Sequence, residues 1–217
     1  MARPELARPV DGVREVLGEL AERYRLVAIL TGRRADEVTA LLDVPNVEVL
    51  GLYGSEDSAP DLVAWVAPLA AAAAADVPEA WIEDKGSSVA VHYRQTPDPA
   101  EARATLMTAL RSLAAESGLE LVEGKMVLEL IPPGRPLKGD AVQRLAHQYA
   151  LEAVLYAGDD HADLDAFDAL DRLRERGIET VAVAVRGDDA PASLVERATL
   201  LADGPRGLVE LLRSLVV

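Results

Sequence analysis

The sequence predicts an α/β fold: a Rossmann-like core with a parallel sheet, and an α+β cap domain inserted into it. Three observations carry this. Residues 1–58 and 134–217 alternate helical periodicity with short apolar runs, the pattern of βαβ units. Residues 59–133 instead run helix, hairpin, helix, hairpin, and hairpins require antiparallel pairing. Pro132-Pro133-Gly134 then punctuates the return to the first pattern. The expected domains are therefore 1–58 and 134–217 for the core and 59–133 for the insertion.

The elements follow in order. Residues 1–10 carry two Pro and two Arg without a strand pattern and read as a linker. Val13, Val16, Leu17, Leu20 and Ala21 have the spacing of an amphipathic helix over 13–25. Leu26–Leu30 is an unbroken apolar run, as a strand buried on both faces requires, and ends in Thr31-Gly32-Arg33. A helix over 34–42 and a strand over 47–52 complete the unit, and residues 51–56 (GLYGSE) form a Gly-rich loop. In the insertion, the Ala-rich run 62–75 is helical. Strands 81–83 and 88–94 flank Asp84-Lys85-Gly86, a helix spans 100–117, and strands 120–122 and 126–131 flank Glu123-Gly124-Lys125. The second core segment continues with a helix from Lys138 to Tyr149, a strand over 154–157, a helix over 162–176 and a strand over 180–185. A short strand within 198–203 and a helix from Arg206 close the chain.

Composition narrows the function. The 217 residues include no Cys, so disulfides and thiol chemistry are excluded. A net charge of −15 argues against a nucleic-acid partner. No apolar stretch approaches a membrane span, and MARPELARPV has no signal-peptide core, so no membrane is expected and the default location is the cytoplasm.

Chemistry gathers at strand ends. Residues 154–167 read VLYAGDDHADLDAF: an apolar strand empties through Gly158 into Asp159, Asp160 and Asp163. Open α/β sheets hold ligands at that edge, and clustered carboxylates suit a hard cation such as Mg²⁺. Gly-Asp-Asp alone equally describes a turn with a capping Asp. Thr31-Gly32 alone describes a turn, and Lys138 alone a solvated helix start. Each at the end of its own element, a hydroxyl, an ammonium and a carboxylate cluster together describe a phosphoryl site.

On these residues the sequence resembles the haloacid dehalogenase superfamily and, within it, trehalose-6-phosphate phosphatases. ILTGR around Thr31 is similar to the second superfamily motif, LKGDAV at Lys138 to the third, and GDDHADLDAF to the fourth, with Ala162 and Leu164 where Thr and Glu are usual. ARPVDGV, GLYGSE, EDKGSSVAVHYR and GKMVLELIPPG carry the narrower likeness over nearly the whole chain. The resemblance implies a Mg²⁺-dependent phosphatase with catalytic Thr31, Lys138 and Asp163, metal ligands Asp159 and Asp160, and Gly32 and Arg33 beside the substrate. It further implies that the cap reads sugar through Lys85, His92, Arg94, Lys125 and Glu129. The implied substrate is trehalose 6-phosphate. Tyr53 stands where a His is frequent, and Ile131 where an Arg is frequent, so another sugar phosphate stays open. By its own position, His92 on a strand or Lys125 in a turn has an ordinary structural reading. Glu129 stands out, because a charge between Leu128 and Leu130 needs a partner or a ligand if its face is covered.

One superfamily part is absent. The first motif is a central strand ending in Asp-x-Asp-Gly-Thr, whose first Asp attacks phosphorus. Asp11-Gly12 follows a Pro-rich linker, not a strand, and Asp163-Leu164-Asp165 belongs to the fourth motif. The chain by itself is therefore expected to be inactive. The strand is expected from an upstream start, or from another chain or fused segment. Otherwise the chain is a non-catalytic sugar-phosphate-binding or regulatory relative.

Overall fold

The computed structural model describes residues 8–54, 60–124, 126–134, 137–187 and 190–216. The chain divides into two units, residues 1–54 with 136–217, and residues 55–135.

The first unit opens with α1 (Val13–Arg23), which buries Val16, Leu17 and Leu20, the predicted face. Strand β1 (Ala28–Leu30) is shorter than the apolar run suggested; Leu26 and Val27 lead into it. After α2 (Ala35–Leu42), β2 (Glu48–Leu50) pairs with β1 in parallel. Residues 51–54 of the expected loop form a 3-10 turn, and Ser55 and Glu56 lie outside the described residues. In the second segment, α5 (Lys138–Gln148) precedes β7 (Ala153–Gly158), α6 (Asp163–Glu175) and β8 (Glu179–Arg186). Helix α7 (Ala192–Arg197) has no counterpart in the predicted elements, because six residues are too few to display a period. Strand β9 (Leu200–Asp203) and α8 (Gly204–Ser214) finish the unit.

The parallel strands lie in two pieces, β1-β2 and β7-β8-β9. Helix α5 serves both. Ala141 and Leu145 pack with Leu26, Ala28, Leu30 and Leu50, whereas Val142 and Ala146 join Phe167, Leu170 and Ala184. Among the described residues, no strand pairs with the second edge of β1 or of β7. Burial records this opening. Ala182–Val185 of β8, flanked by strands on both sides, are all buried, whereas Val154–Ala157 of β7 and all of β1 are only half-buried. Continuous apolar runs are selected for strands covered on both faces, so these two edges are under-covered for their sequence.

The second unit is an antiparallel sheet in the order β3-β4-β6-β5, with β3 (Trp81–Asp84), β4 (Val89–His92), β5 (Glu120–Gly124) and β6 (Val127–Ile131). Helices α3 (Pro60–Ala74) and α4 (Pro99–Ser117) cover one face. There Val89, Val91, Leu128 and Leu130 pack against Val63, Val66, Leu106 and Leu110. Pro99 at the first turn and Asp98, which accepts from the N–H groups of Ala100 and Glu101 at 3.0 Å, start α4 where predicted. By strand alternation, the opposite face carries Trp81, Glu83, Ala90, His92, Val127 and Glu129.

Candidate active site

Lys138 and Asp163 form the centre of the site. Lys138 opens α5 and is 8% exposed; Asp163 opens α6 and is 1% exposed. The Lys138 ammonium donates to Asp163 Oδ1 at 2.6 Å, and the Tyr156 hydroxyl donates to the same oxygen at 2.6 Å. The other oxygen, Oδ2, accepts the backbone N–H groups of Asp159 at 2.8 Å and Asp160 at 2.9 Å. Both oxygens of this buried carboxylate are thus engaged. Burial pushes the Asp163 pKa up, but Lys138, Tyr156 and the Asp160 N–H outweigh it and hold the group below its ordinary value. Asp163 therefore stays ionised, curls the Asp159-Asp160 turn and fixes Lys138.

Two glycines make this packing fit. A Cβ on Gly158 would collide with the Asp163 carboxyl, and one on Gly139 would lie 2.5 Å from the Asp165 carbonyl oxygen. The Gly139 N–H donates to Asp165 Oδ2 at 2.6 Å, so α6 caps the first turn of α5. Edge-to-face packing of Tyr156 on Phe167, with centroids 6.4 Å apart, holds the phenol in place.

Asp159 and Asp160 are exposed. Asp160 Oδ1 accepts from the Ala162 N–H at 2.8 Å and lies 3.8 Å from the Lys138 ammonium. Partial burial, then the charges of Asp163 and Asp160, push the Asp159 pKa up against the pull of Lys138. Its charged form lacks compensation, and a cation would supply it. Ligand oxygens of Asp159, Asp160 and Asp163 lie within 4.8 Å of one another. An all-oxygen set with two accessible carboxylates fits Mg²⁺. Since Asp163 already accepts four hydrogen bonds, Asp159 and Asp160 are the ones with room for an ion.

Thr31 directly follows β1, and its hydroxyl oxygen accepts the Arg33 N–H at 3.1 Å, which leaves the hydroxyl proton to donate elsewhere. Thr31 makes no bond to the Lys138–Asp163 group; both lie at C-terminal ends of parallel strands of the first unit, the Asp cluster after β7. Gly32 and Arg33 are half-buried beside Thr31.

The second unit gathers most of the cap residues named from sequence on one face. Glu129 Oε1 accepts from Ser88 Oγ at 2.5 Å and Oε2 lies 3.3 Å from the Lys85 ammonium. This is the partner that a charge between two core leucines requires. His92 Nε2 lies 2.8 Å from Glu83 Oε2, and its ring stacks on Trp81 with centroids 3.9 Å apart. Arg94 is exposed just past β4, and Lys125 lies outside the described residues.

The sequence reading did not single out Tyr156, Glu83, Ser88 or Trp81, and it named Asp165 only as part of the fourth motif. Tyr156, two residues before Gly158, points to its role only once α6 is known to fold back on it. Trp81, Glu83 and Lys85 alternate along β3 and its turn, a signal that was present. A shallow cavity of about 380 Å³ lined by Asp171, Arg174, Thr180, Arg197 and Thr199 shares no residue with the carboxylates. Its arginines are already paired with Asp168 and Asp171.

Residues 1–196 match the trehalose-phosphatase family. The chain is 34% identical over 189 residues to an uncharacterized glycosyl hydrolase of Mycobacterium tuberculosis, covering 77% of this chain and 14% of that protein. It is 34% identical over 215 residues to a trehalose-phosphate phosphatase of Mycobacterium avium, covering 88% and 53%. The chain therefore spans about half the length of that phosphatase and a small part of the first relative. Among solved structures, a trehalose-6-phosphate phosphatase related protein superposes with a TM-score of 0.80 at 20% identity over 100% of this chain and 91% of that one. A haloacid dehalogenase-like hydrolase from Bacteroides thetaiotaomicron gives 0.59 at 14% identity, covering 93% and 91%. At such identities the likeness concerns the fold.

Proposed function

The chain belongs to the trehalose-phosphatase family, and from that premise we propose that it is the phosphatase core and cap of an enzyme acting on a sugar phosphate, with trehalose 6-phosphate as substrate. The observation that carries the reading is the Lys138–Asp163 pair beneath Asp159 and Asp160 at the end of β7.

Each residue has a physical task. The Lys138 ammonium, held by Asp163, faces charge that builds on phosphoryl oxygens during transfer. The Thr31 hydroxyl, its oxygen already accepting from Arg33, donates to a phosphoryl oxygen, with Gly32 and Arg33 beside it. Asp159 and Asp160 would hold Mg²⁺. Bound there, the ion would offset phosphate charge. On the second unit, Glu129, His92, Lys85, Arg94 and Lys125 are assigned to the sugar, the carboxylate accepting from its hydroxyls.

The nucleophile belongs to a strand that is not among those described. Two open parallel edges, β1 and β7, share the helix α5 and are under-covered for their apolar sequence. The proposed partner is one parallel strand, apolar on both faces, contributed by an upstream or fused segment or by another chain. Its C-terminal aspartate would attack phosphorus and release the sugar oxygen, and water would then hydrolyse the aspartyl phosphate. We assign the whole to the cytoplasm; among the described residues no helix is long and apolar enough to cross a membrane.

The test is phosphate release from trehalose 6-phosphate. The 217-residue chain should release none. The same chain carrying an N-terminal apolar strand that ends in Asp-x-Asp should release phosphate, and its Lys138→Ala variant should not. Turnover by the chain alone would contradict the strand requirement; a strand-completed chain that stays inert would contradict the phosphatase reading. Should trehalose 6-phosphate bind to that inert form, the non-catalytic binding reading would replace it. Hydrolysis of other sugar phosphates in preference to this one would reassign the substrate.

A further inference from the structure

We propose that the outer face of α3 is a self-association surface: two copies of this chain pair through it, antiparallel about a two-fold axis, with Trp65 of each seated on the partner's Ala72. The sugar-phosphate reading above does not use this face, and the inference does not depend on it.

Helix α3 has two apolar faces where one is expected. Val63, Val66, Ala70 and Ala74 turn inward and join the core of the second unit. The other side carries Ala64, Trp65, Pro68, Leu69, Ala71 and Ala72, and all six are exposed. Trp65 is 56% exposed and Leu69 40%. From Leu62 to Ala75 the sequence holds no polar residue, whereas every other helix carries charged residues at exposed positions. A helix that is apolar all round is normally buried, and a contiguous exposed apolar patch marks a contact surface.

Three observations select a second copy as the occupant. The first is shape. Trp65 stands toward the N-terminal end of the face, Leu69 near its middle, and Ala71 and Ala72 toward its C-terminal end. An antiparallel two-fold between Pro68 and Leu69 lays each tryptophan over the partner's alanines, so the face is its own complement. The alanines also let the two helix axes approach closely. The second is charge. A face without charge has nothing with which to recognise a cationic partner, and the net −15 of the chain repels an anionic lipid surface. The third is area. The face of a 15-residue helix is about 22 Å long and one helix wide, which is smaller than the roughly 800 Å² per partner of a standard interface. The pair is therefore weak and reversible, with a dissociation constant of about 10–100 μM.

Sedimentation velocity of the 217-residue chain, across concentration and salt, tests this. A monomer–dimer equilibrium should appear in that range. Two copies of net charge −15 repel each other at a distance, so added salt should tighten the dimer. Trp65→Lys and Leu69→Lys change exposed positions, so the fold should survive, which circular dichroism checks. Both make the net charge less negative, yet each should weaken the dimer at least about tenfold. A chain that stays monomeric up to about 1 mM, or a dimer that loosens as salt is added, would overturn the assignment. So would a dimer that survives both substitutions, which would move association to another surface such as the open edges of β1 and β7. A monomeric chain that binds phosphatidylcholine vesicles, and loses that binding in Trp65→Lys, would overturn it in favour of a lipid surface.

Discussion

Replacing Asp163 by Asn tests how the site is held. The change is nearly isosteric but removes the charge that faces Lys138. It also inverts one hydrogen-bonding group. Asp163 accepts from four donors: the Lys138 ammonium, the Tyr156 hydroxyl and the N–H groups of Asp159 and Asp160. An amide offers one acceptor oxygen, so in either orientation its NH₂ meets a pair of donors. Lys138, 8% exposed, loses its buried counter-charge. Breaking a buried pair in this way costs about 3–5 kcal/mol. For a chain of this size that is a fall in Tm of roughly 6–20 °C. Calorimetry at neutral pH would measure it. The pH dependence has a definite sign. Because the folded-state pKa of Asp163 is depressed, its stabilisation is fully present above the ordinary carboxyl range and is lost as pH falls through the folded value. The gap between the two proteins should therefore be full at pH 7 and close only in acid. A loss below about 1 kcal/mol, or a gap that does not change with pH, would refute the reasoning.

Other substitutions probe the neighbours. Tyr156→Phe removes one donor to Asp163 but keeps the packing on Phe167; it should cost about 1–2 kcal/mol by urea denaturation. Gly158→Ala places a methyl in the Asp163 carboxyl and should cost about 3 kcal/mol or more, or prevent the first unit from folding, by circular dichroism. Mg²⁺ should raise the Tm of the chain as its concentration passes the dissociation constant, and should have little effect on Asp159→Asn. The Asp159 pKa is raised, so ionising it opposes folding as pH rises; the Tm gain from Mg²⁺ should accordingly grow between acid and neutral pH. A synthetic strand peptide, apolar on both faces, should raise the Tm of the chain, and a charged substitution at Leu155 on β7 should abolish that gain.

What the sequence disclosed depended on whether a residue's partner was local. Gly158-Asp159-Asp160 announced itself because an apolar run empties into carboxylates across a single glycine. Lys138 did so because it begins a helix just after Pro-Gly punctuation. Glu129 was conspicuous as a charge alternating with core leucines, and its answer, Lys85 and Ser88, came from another hairpin. The role of Asp163 was less legible. Sequence places it near the cluster but does not say that both its oxygens are spent on Lys138, Tyr156 and the turn. Tyr156 and Trp81 escaped notice because their partners lie 7 residues away or across a sheet, and the contact of Asp165 with Gly139, 26 residues away, did so for the same reason. Helix α7 escaped because its six residues span less than two turns. Among the described residues β1 and β7 each have one unpaired edge, and Val154–Ala157 are only half-buried there.

The claim beneath all of this is that Lys138 and the carboxylates at the end of β7 form one phosphate site. Calorimetric titration of inorganic phosphate, with Mg²⁺ present, into the chain and into its Lys138→Ala variant measures that site without requiring turnover. The account predicts saturable binding to the chain, lost in the variant and much weakened when Mg²⁺ is withheld. Equal affinity for both proteins, or no binding to either, would contradict it.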